Sequence, residues 1–166
     1  MDDNMYLISL LEAVRFVYCN SGNYFSKSSG RERSMVFRIA HRLANVIEGE
    51  GIFVDIEATR CNYDTKRIGY KRIIPDLIVH KRFGQNILVA EFKCDKNNWD
   101  NDFEKLSNLT QYPRQNENKS RNMPYYKLGI FVYLGDYLKD VHVIIYKNGK
   151  NVTDNYVFQN ILKEQL

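Results

Sequence analysis

Residues 74–93 constrain this chain more than any other stretch. Two runs rich in β-branched and aliphatic residues, 74–80 and 87–93, flank a polar segment, 81–86, that contains Gly84. That pattern predicts a β-hairpin. Asp76, Glu91 and Lys93 stand inside these otherwise apolar runs. A charge buried in a sheet is costly unless it is paired or bound to a metal. The fold therefore has to explain where these three side chains meet.

Register gives a first answer. If Gly84 and Gln85 form a two-residue turn, Phe83 faces Asn86, Ile78 faces Glu91 and Asp76 faces Lys93. Residues of one parity share a face, so Asp76, Glu91 and Lys93 lie together. A four-residue loop gives the same pairing. A three-residue loop or a bulge on its own separates them.

The rest of the chain supplies layers for this hairpin. Residues 5–18 read as a helix, with Leu7, Leu10, Leu11, Val14 and Val17 at helical spacing. A polar, serine-rich loop follows to Gly30. A second helix starts at residues 29–31 and runs to Ile47, with Val36, Ile39, Ala40, Leu43 and Ile47 on one stripe and Val46 beside it. Arg38, His41, Arg42 and Asn45 fall opposite. Glu32 falls on the core-facing stripe, where a carboxylate is exceptional. It either complements the helix dipole in the first turn or serves the charged cluster. Residues 52–57 alternate as a strand. Asp55 and Glu57 join the cluster only if that strand directs one of them at it. Residues 61–72 read as a basic loop holding Lys66, Arg67, Lys71 and Arg72.

Beyond the hairpin, a helix of about three turns buries Phe103, Leu106 and Leu109, with Lys105 on the same side and an Asn or Asp cap at its start. Pro113 stops it, and residues 115–122 form a polar loop. Residues 126–134 are a strongly apolar strand and 140–147 another. Asn148-Gly149 marks a turn into a short strand within 152–158. The expected architecture is one α/β domain over residues 1–166, with mixed α+β character: a mixed central sheet flanked by helices.

Composition narrows the class. At 166 residues and 44% hydrophobic content the chain is long and apolar enough for a core. Its formal net charge of +4 is compatible with a nucleic-acid partner and does not establish one. The three cysteines, Cys19, Cys61 and Cys94, offer neither a disulfide framework nor a four-ligand zinc site and suit a reducing, cytoplasmic setting. Apolar runs are too short for a membrane span. His41, His80 and His142 are scattered without ligand spacing and read as structural or surface residues. Cys94 alternates to the opposite face from Lys93 and reads as a core residue.

Two carboxylates on adjacent strands suit a hard divalent cation, Mg2+ or Mn2+. Lys93 would orient or deprotonate a water, or stabilise charge on a phosphate. The backbone carbonyl of Phe92 is a further candidate ligand. The alternative is a buried Asp–Lys–Glu network that holds the sheet together.

Pro75-Asp76, followed fifteen residues later by Glu91-Phe92-Lys93, resembles the PD-(D/E)XK nuclease superfamily. The resemblance implies a restriction-endonuclease-like αβββαβ core, here residues 29–134, with an extra N-terminal helix and C-terminal strands. It implies Mg2+- or Mn2+-dependent phosphodiester hydrolysis, with DNA as the expected substrate. Carried over, it makes Asp76 and Glu91 metal ligands, Lys93 the catalytic lysine and Glu32 an accessory acid. Lys105 and Gln111 would face substrate from the following helix. Independently of the resemblance, the basic loop with Arg67, Lys71 and Arg72 either contacts phosphates or is simply a solvated loop. Two other readings stand beside it: a non-catalytic nucleic-acid-binding or regulatory module on the same fold, and a homodimer formed through the tyrosine-rich C-terminal strands.

Overall fold

The computed structural model describes the chain apart from residues 1–2, 22–30, 50, 58–59, 62–63, 66, 69–70, 82–83, 113–123, 157, 159 and 163–166. In chain order it places helices α1 (Asp3–Ser21) and α2 (Arg31–Ile47), then strand β1 (Ile52–Ile56). Four two-residue strands follow: β2 (Arg60–Cys61), β3 (Asp64–Thr65), β4 (Arg67–Ile68) and β5 (Lys71–Arg72). The hairpin strands are β6 (Leu77–Lys81) and β7 (Asn86–Lys93). Then come α3 (Asp100–Thr110), β8 (Tyr126–Tyr133), β9 (His142–Lys147) and β10 (Lys150–Asn151).

The main sheet runs β1-β6-β7-β8-β9-β10. Every neighbouring pair is antiparallel except β7–β8, which is parallel. A parallel pair needs a crossover, and α3 provides it. The expected mixed α/β architecture is what the chain forms, and α2-β1-β6-β7-α3-β8 runs in the anticipated αβββαβ order. Only the small β2–β3 and β4–β5 hairpins interrupt it.

The sheet separates two cores. Leu77, Val79, Leu88, Ala90, Phe92, Ile130 and Val132 point toward α1 and α2 and join Leu10, Val14, Ile39 and Leu43. Ile78, Val89, Phe131, Tyr133 and Tyr146 point the other way, where Leu106 and Leu109 of α3 cover them. Trp99 and Phe103 pack their rings against Phe131, with centroids 5.1 and 4.9 Å away. Gly129 lets α3 approach so closely: a Cβ there would lie 2.8 Å from Cγ2 of Thr110.

Several expectations need correction. Residues 61–72 are not an uninterrupted loop, because the described positions include parts of the two small hairpins. Lys66 and the loop at 115–122 lie outside the described residues, as does the serine-rich loop over residues 22–30. Helix α3 has no side-chain cap: Trp99 holds the N-cap position, and its carbonyl accepts from Asp102 and Phe103. Val46 is exposed. The last strand is Lys150–Asn151, formed across the Asn148-Gly149 turn, where both residues have positive φ. Residues 153–155 then wind into a short 3-10 turn, because Thr153 Oγ1 accepts from the Ile145 amide and Asn151 Oδ1 accepts from Thr153.

The hairpin register is the most consequential correction. Leu77 pairs with Ala90, Ile78 with Val89 and Val79 with Leu88, but His80 pairs with Asn86. The ladder thus skips Ile87, which is a bulge in β7. Lys81 N donates to Gln85 O at 2.9 Å, which leaves three residues in the loop. A three-residue loop alone, or a bulge alone, would turn Asp76 and Glu91 to opposite faces. Together they cancel. The pairing is shifted by two residues from the expected one, so parity survives, and Asp76 faces Glu91 instead of Lys93.

Candidate active site

Asp76 stands one residue before β6, and the Leu77–Ala90 register continued by one step sets it opposite Glu91. The next step would pair Pro75 with Phe92. Proline has no N–H, so the ladder has no donor for the Phe92 carbonyl. On the other half of that pair, Asp76 Oδ2 accepts the Phe92 amide at 2.8 Å. Pro75-Asp76 therefore ends the β6–β7 ladder: a side chain takes over the amide and the carbonyl is left without a strand partner. Glu91 and Lys93 lie at the C-terminal end of β7, beside the parallel strand β8. Ligand crevices of open α/β sheets form at such ends.

Glu91 is 1% exposed. Its Oε2 accepts from Lys105 Nζ at 2.6 Å, and its buried Oε1 has no hydrogen-bond partner. Lys105 reaches in from the second turn of α3. Asp102, one turn earlier on α3 and itself buried, lies 3.7 Å from Lys105 Nζ and 3.5 Å from Lys93 Nζ. Two lysines thus flank one aspartate, and one of them also bonds Glu91.

The carboxylates outnumber the cations here. Burial first, and then the facing Asp76 charge, push the Glu91 carboxyl up to about 8 against the pull of Lys105. Asp76 is raised as well, by burial and by Glu32, although the Phe92 amide, Lys105 and Lys93 oppose the shift. Burial disfavours the charged Lys93, but Asp102, Glu32, Asp76 and Glu91 outweigh it and its pKa is raised. Lys93 is therefore held as a positive charge by the acids around it.

Glu32 reaches the same end of the sheet from α2. Its Oε2 accepts the Cys94 amide at 2.8 Å, just past β7, and its charge acts on both Asp76 and Lys93. The neighbouring Arg31 holds this end in place. Its guanidinium donates to the carbonyls of Cys94 and Leu134 and pairs with Asp136.

Asp76, Glu91, Lys93, Lys105 and, through its charge, Glu32 are thus brought together. Gln111 is not: it closes α3 beyond Lys105, beside Gly149. Arg67 and Arg72 oppose each other in the β4–β5 hairpin, and Lys71 opposes Ile68. Asp55 shares the face of Asp76 but pairs with His80 at 2.8 Å. Glu57 pairs with the exposed Arg33. His41 contacts Asn45, and His142 stacks on Tyr133. Cys94 packs at the edge of the α1–α2 core.

Sequence reasoning missed Asp102. An aspartate in a first helical turn reads as a cap or a dipole partner, and nothing local shows that it faces two lysines. Its spacing of three residues before Lys105 was the one available signal.

The donor set suits a hard divalent cation. Glu91 offers an orphaned buried oxygen, Asp76 faces it, and the Phe92 carbonyl lacks a ladder donor. Among the described residues no group of three or more His, Cys, Asp or Glu side chains is gathered for a metal. Compared with known proteins, this chain matches no protein-family model, no curated protein and no solved structure.

Proposed function

We propose that this chain is a divalent-cation-dependent nuclease that hydrolyses phosphodiester bonds in DNA, of the PD-(D/E)XK kind. The observation that carries this reading is the facing of Asp76 and Glu91 at the open end of β7, with Glu91 Oε1 buried and unpartnered. Asp76, Glu91 and the Phe92 carbonyl would hold Mg2+ or Mn2+. When bound, the ion would supply Lewis-acid polarisation and an activated water.

The chain's own groups do the rest. Lys93 carries a raised pKa, so its ammonium can neutralise charge that develops on a phosphate oxygen. Asp102 steadies that ammonium from α3. Lys105 offsets one oxygen of Glu91 and keeps the carboxylate available in a dry site. Glu32 adds negative potential and fixes the strand end through Cys94. An intracellular location accompanies this reading, and the free thiols Cys19 and Cys94 suit a reducing compartment.

A second reading has one observation in its favour. Lys105–Glu91 and Lys93–Asp102 already pair acids with bases, as a structural network on a non-catalytic binding module would. A divalent-cation cleavage screen separates the two, run over duplex, single-stranded and branched DNA and over RNA, with Lys93→Ala as control. Cation-dependent cleavage lost in the control supports the nuclease. Salt-dependent binding with no cleavage of any form supports the module.

A further inference from the structure

The surface where α1 and α2 meet carries a second feature, separate from the carboxylates. A groove of about 330 Å3 opens there between Phe16 of α1 and Phe37 of α2. Both rings are exposed, Phe37 at 60%. Arg38 and Arg42 line the groove, with His41 between them, and none of the described residues lining it is acidic. The Arg42 guanidinium lies 4.3 Å from the centre of the Phe16 ring. The helical repeat places Arg38 and Arg42 about 6 Å apart along α2.

We propose that this groove binds a short stretch of single-stranded nucleic acid, with bases stacked on Phe37 and the Arg42–Phe16 pair and phosphates on the two arginines. The charge selects the occupant. A second copy docked symmetrically would set arginine against arginine. An acidic peptide would satisfy the charges but would have no use for two exposed flat surfaces beside an arginine row spaced like neighbouring phosphates. Exposed aromatics in a cationic groove are the general means of holding single strands without sequence preference. Asn45, hydrogen-bonded to His41, adds a polar group at the rim.

The ligand class follows from the groove alone. Its use in presenting a strand for cleavage rests on the nuclease reading. Binding is therefore measured where no cleavage can occur, by fluorescence polarisation of labelled oligothymidylate in excess chelator, with the full chain and at several salt concentrations. The expected result is that Phe37→Ala weakens binding about tenfold without changing the salt slope. Arg42→Ala should weaken binding and lower the slope by about 0.7. Phe37→Trp should restore affinity, and circular dichroism should show all three variants folded. Unchanged affinity in Phe37→Ala and Arg42→Ala, or equal competition by polyglutamate, would overturn the proposal. The cleavage screen decides the nuclease reading separately: a Phe37-dependent strand grip with no cation-dependent cleavage keeps the groove and removes the enzyme.

Discussion

Lys105 Nζ lies 2.6 Å from Oε2 of Glu91, on a carboxylate whose other oxygen is buried without a partner. The two residues come from different layers, one from α3 and one from the sheet beneath it. Breaking a buried pair by removing one partner costs about 3–5 kcal/mol, because the other charge is left buried. Lys105 is partly exposed, so above about pH 8, where Glu91 is ionised, Lys105→Met should fall at or below the low end, about 2–3 kcal/mol. Lys105→Met/Glu91→Gln should recover most of that loss. Urea unfolding of the single and double variants provides the cycle, and additive losses would mean the contact carries no coupling.

The pH dependence follows from Glu91. Its folded-state pKa is raised from 4.5 to about 8, so between those values the folded protein holds a proton that the unfolded chain has released. Stability then falls as pH rises through this window. The raised Asp76 works in the same direction. In chelator, the melting temperature should decline from about pH 4.5 to about pH 8. Glu91→Gln should flatten that decline, and a melting temperature that rises across the window in wild type would contradict the assignment.

Pro75 gives a test that separates cation binding from folding. Pro75→Ala supplies an N–H opposite the Phe92 carbonyl and lets the β6–β7 ladder extend by one bond. Stability should hold within about 1 kcal/mol or rise. Affinity for Mn2+, followed by loss of the free-ion paramagnetic resonance signal, should drop, since the carbonyl is then engaged. Unaltered affinity would remove Phe92 from the proposed ligand set.

Gly129 governs how close α3 sits. Gly129→Ala brings a methyl group to 2.8 Å from Thr110 Cγ2 and 3.3 Å from Tyr146 Cβ. Overpacking of this kind costs about 1–3 kcal/mol. Because Asp102 and Lys105 ride on α3, cleavage should fall with it. Thr110→Ser in the same chain removes the opposing methyl and keeps the Oγ1 bonds to Leu106 and Gly149. Denaturant midpoints should show partial recovery in the double variant. No recovery would place the strain at Tyr146.

Helical spacing made α1, α2 and α3 legible, because each buries one continuous stripe. The shared face of Asp76 and Glu91 was legible too, since it depends only on parity. Their direct opposition was not. It depends on a bulge at Ile87 and a three-residue loop, and both Ile87 and Leu88 are buried, so the apolar pattern does not mark the extra residue. The β2–β5 hairpins were hidden for another reason: two residues per strand carry no period. The apolar residues at 152 and 158 suggested a strand, but Asn151 and Thr153 bind local backbone and side-chain groups and turn the chain first. Glu32 stood out as an acid on an apolar stripe, and Asp102 did not, because one of its two partners, Lys93, ends a strand nine residues earlier.

The nuclease reading is tested most directly by Asp76→Asn, with cleavage and melting temperature measured on the same preparation. The amide keeps an oxygen for the Phe92 N–H and removes the charge that faces Glu91. The expected result is a loss of Mg2+- or Mn2+-dependent DNA cleavage of about two orders of magnitude or more, with a melting temperature in chelator equal to or above wild type. Undiminished cleavage, or a sharply lowered melting temperature with no cleavage in wild type, would contradict it.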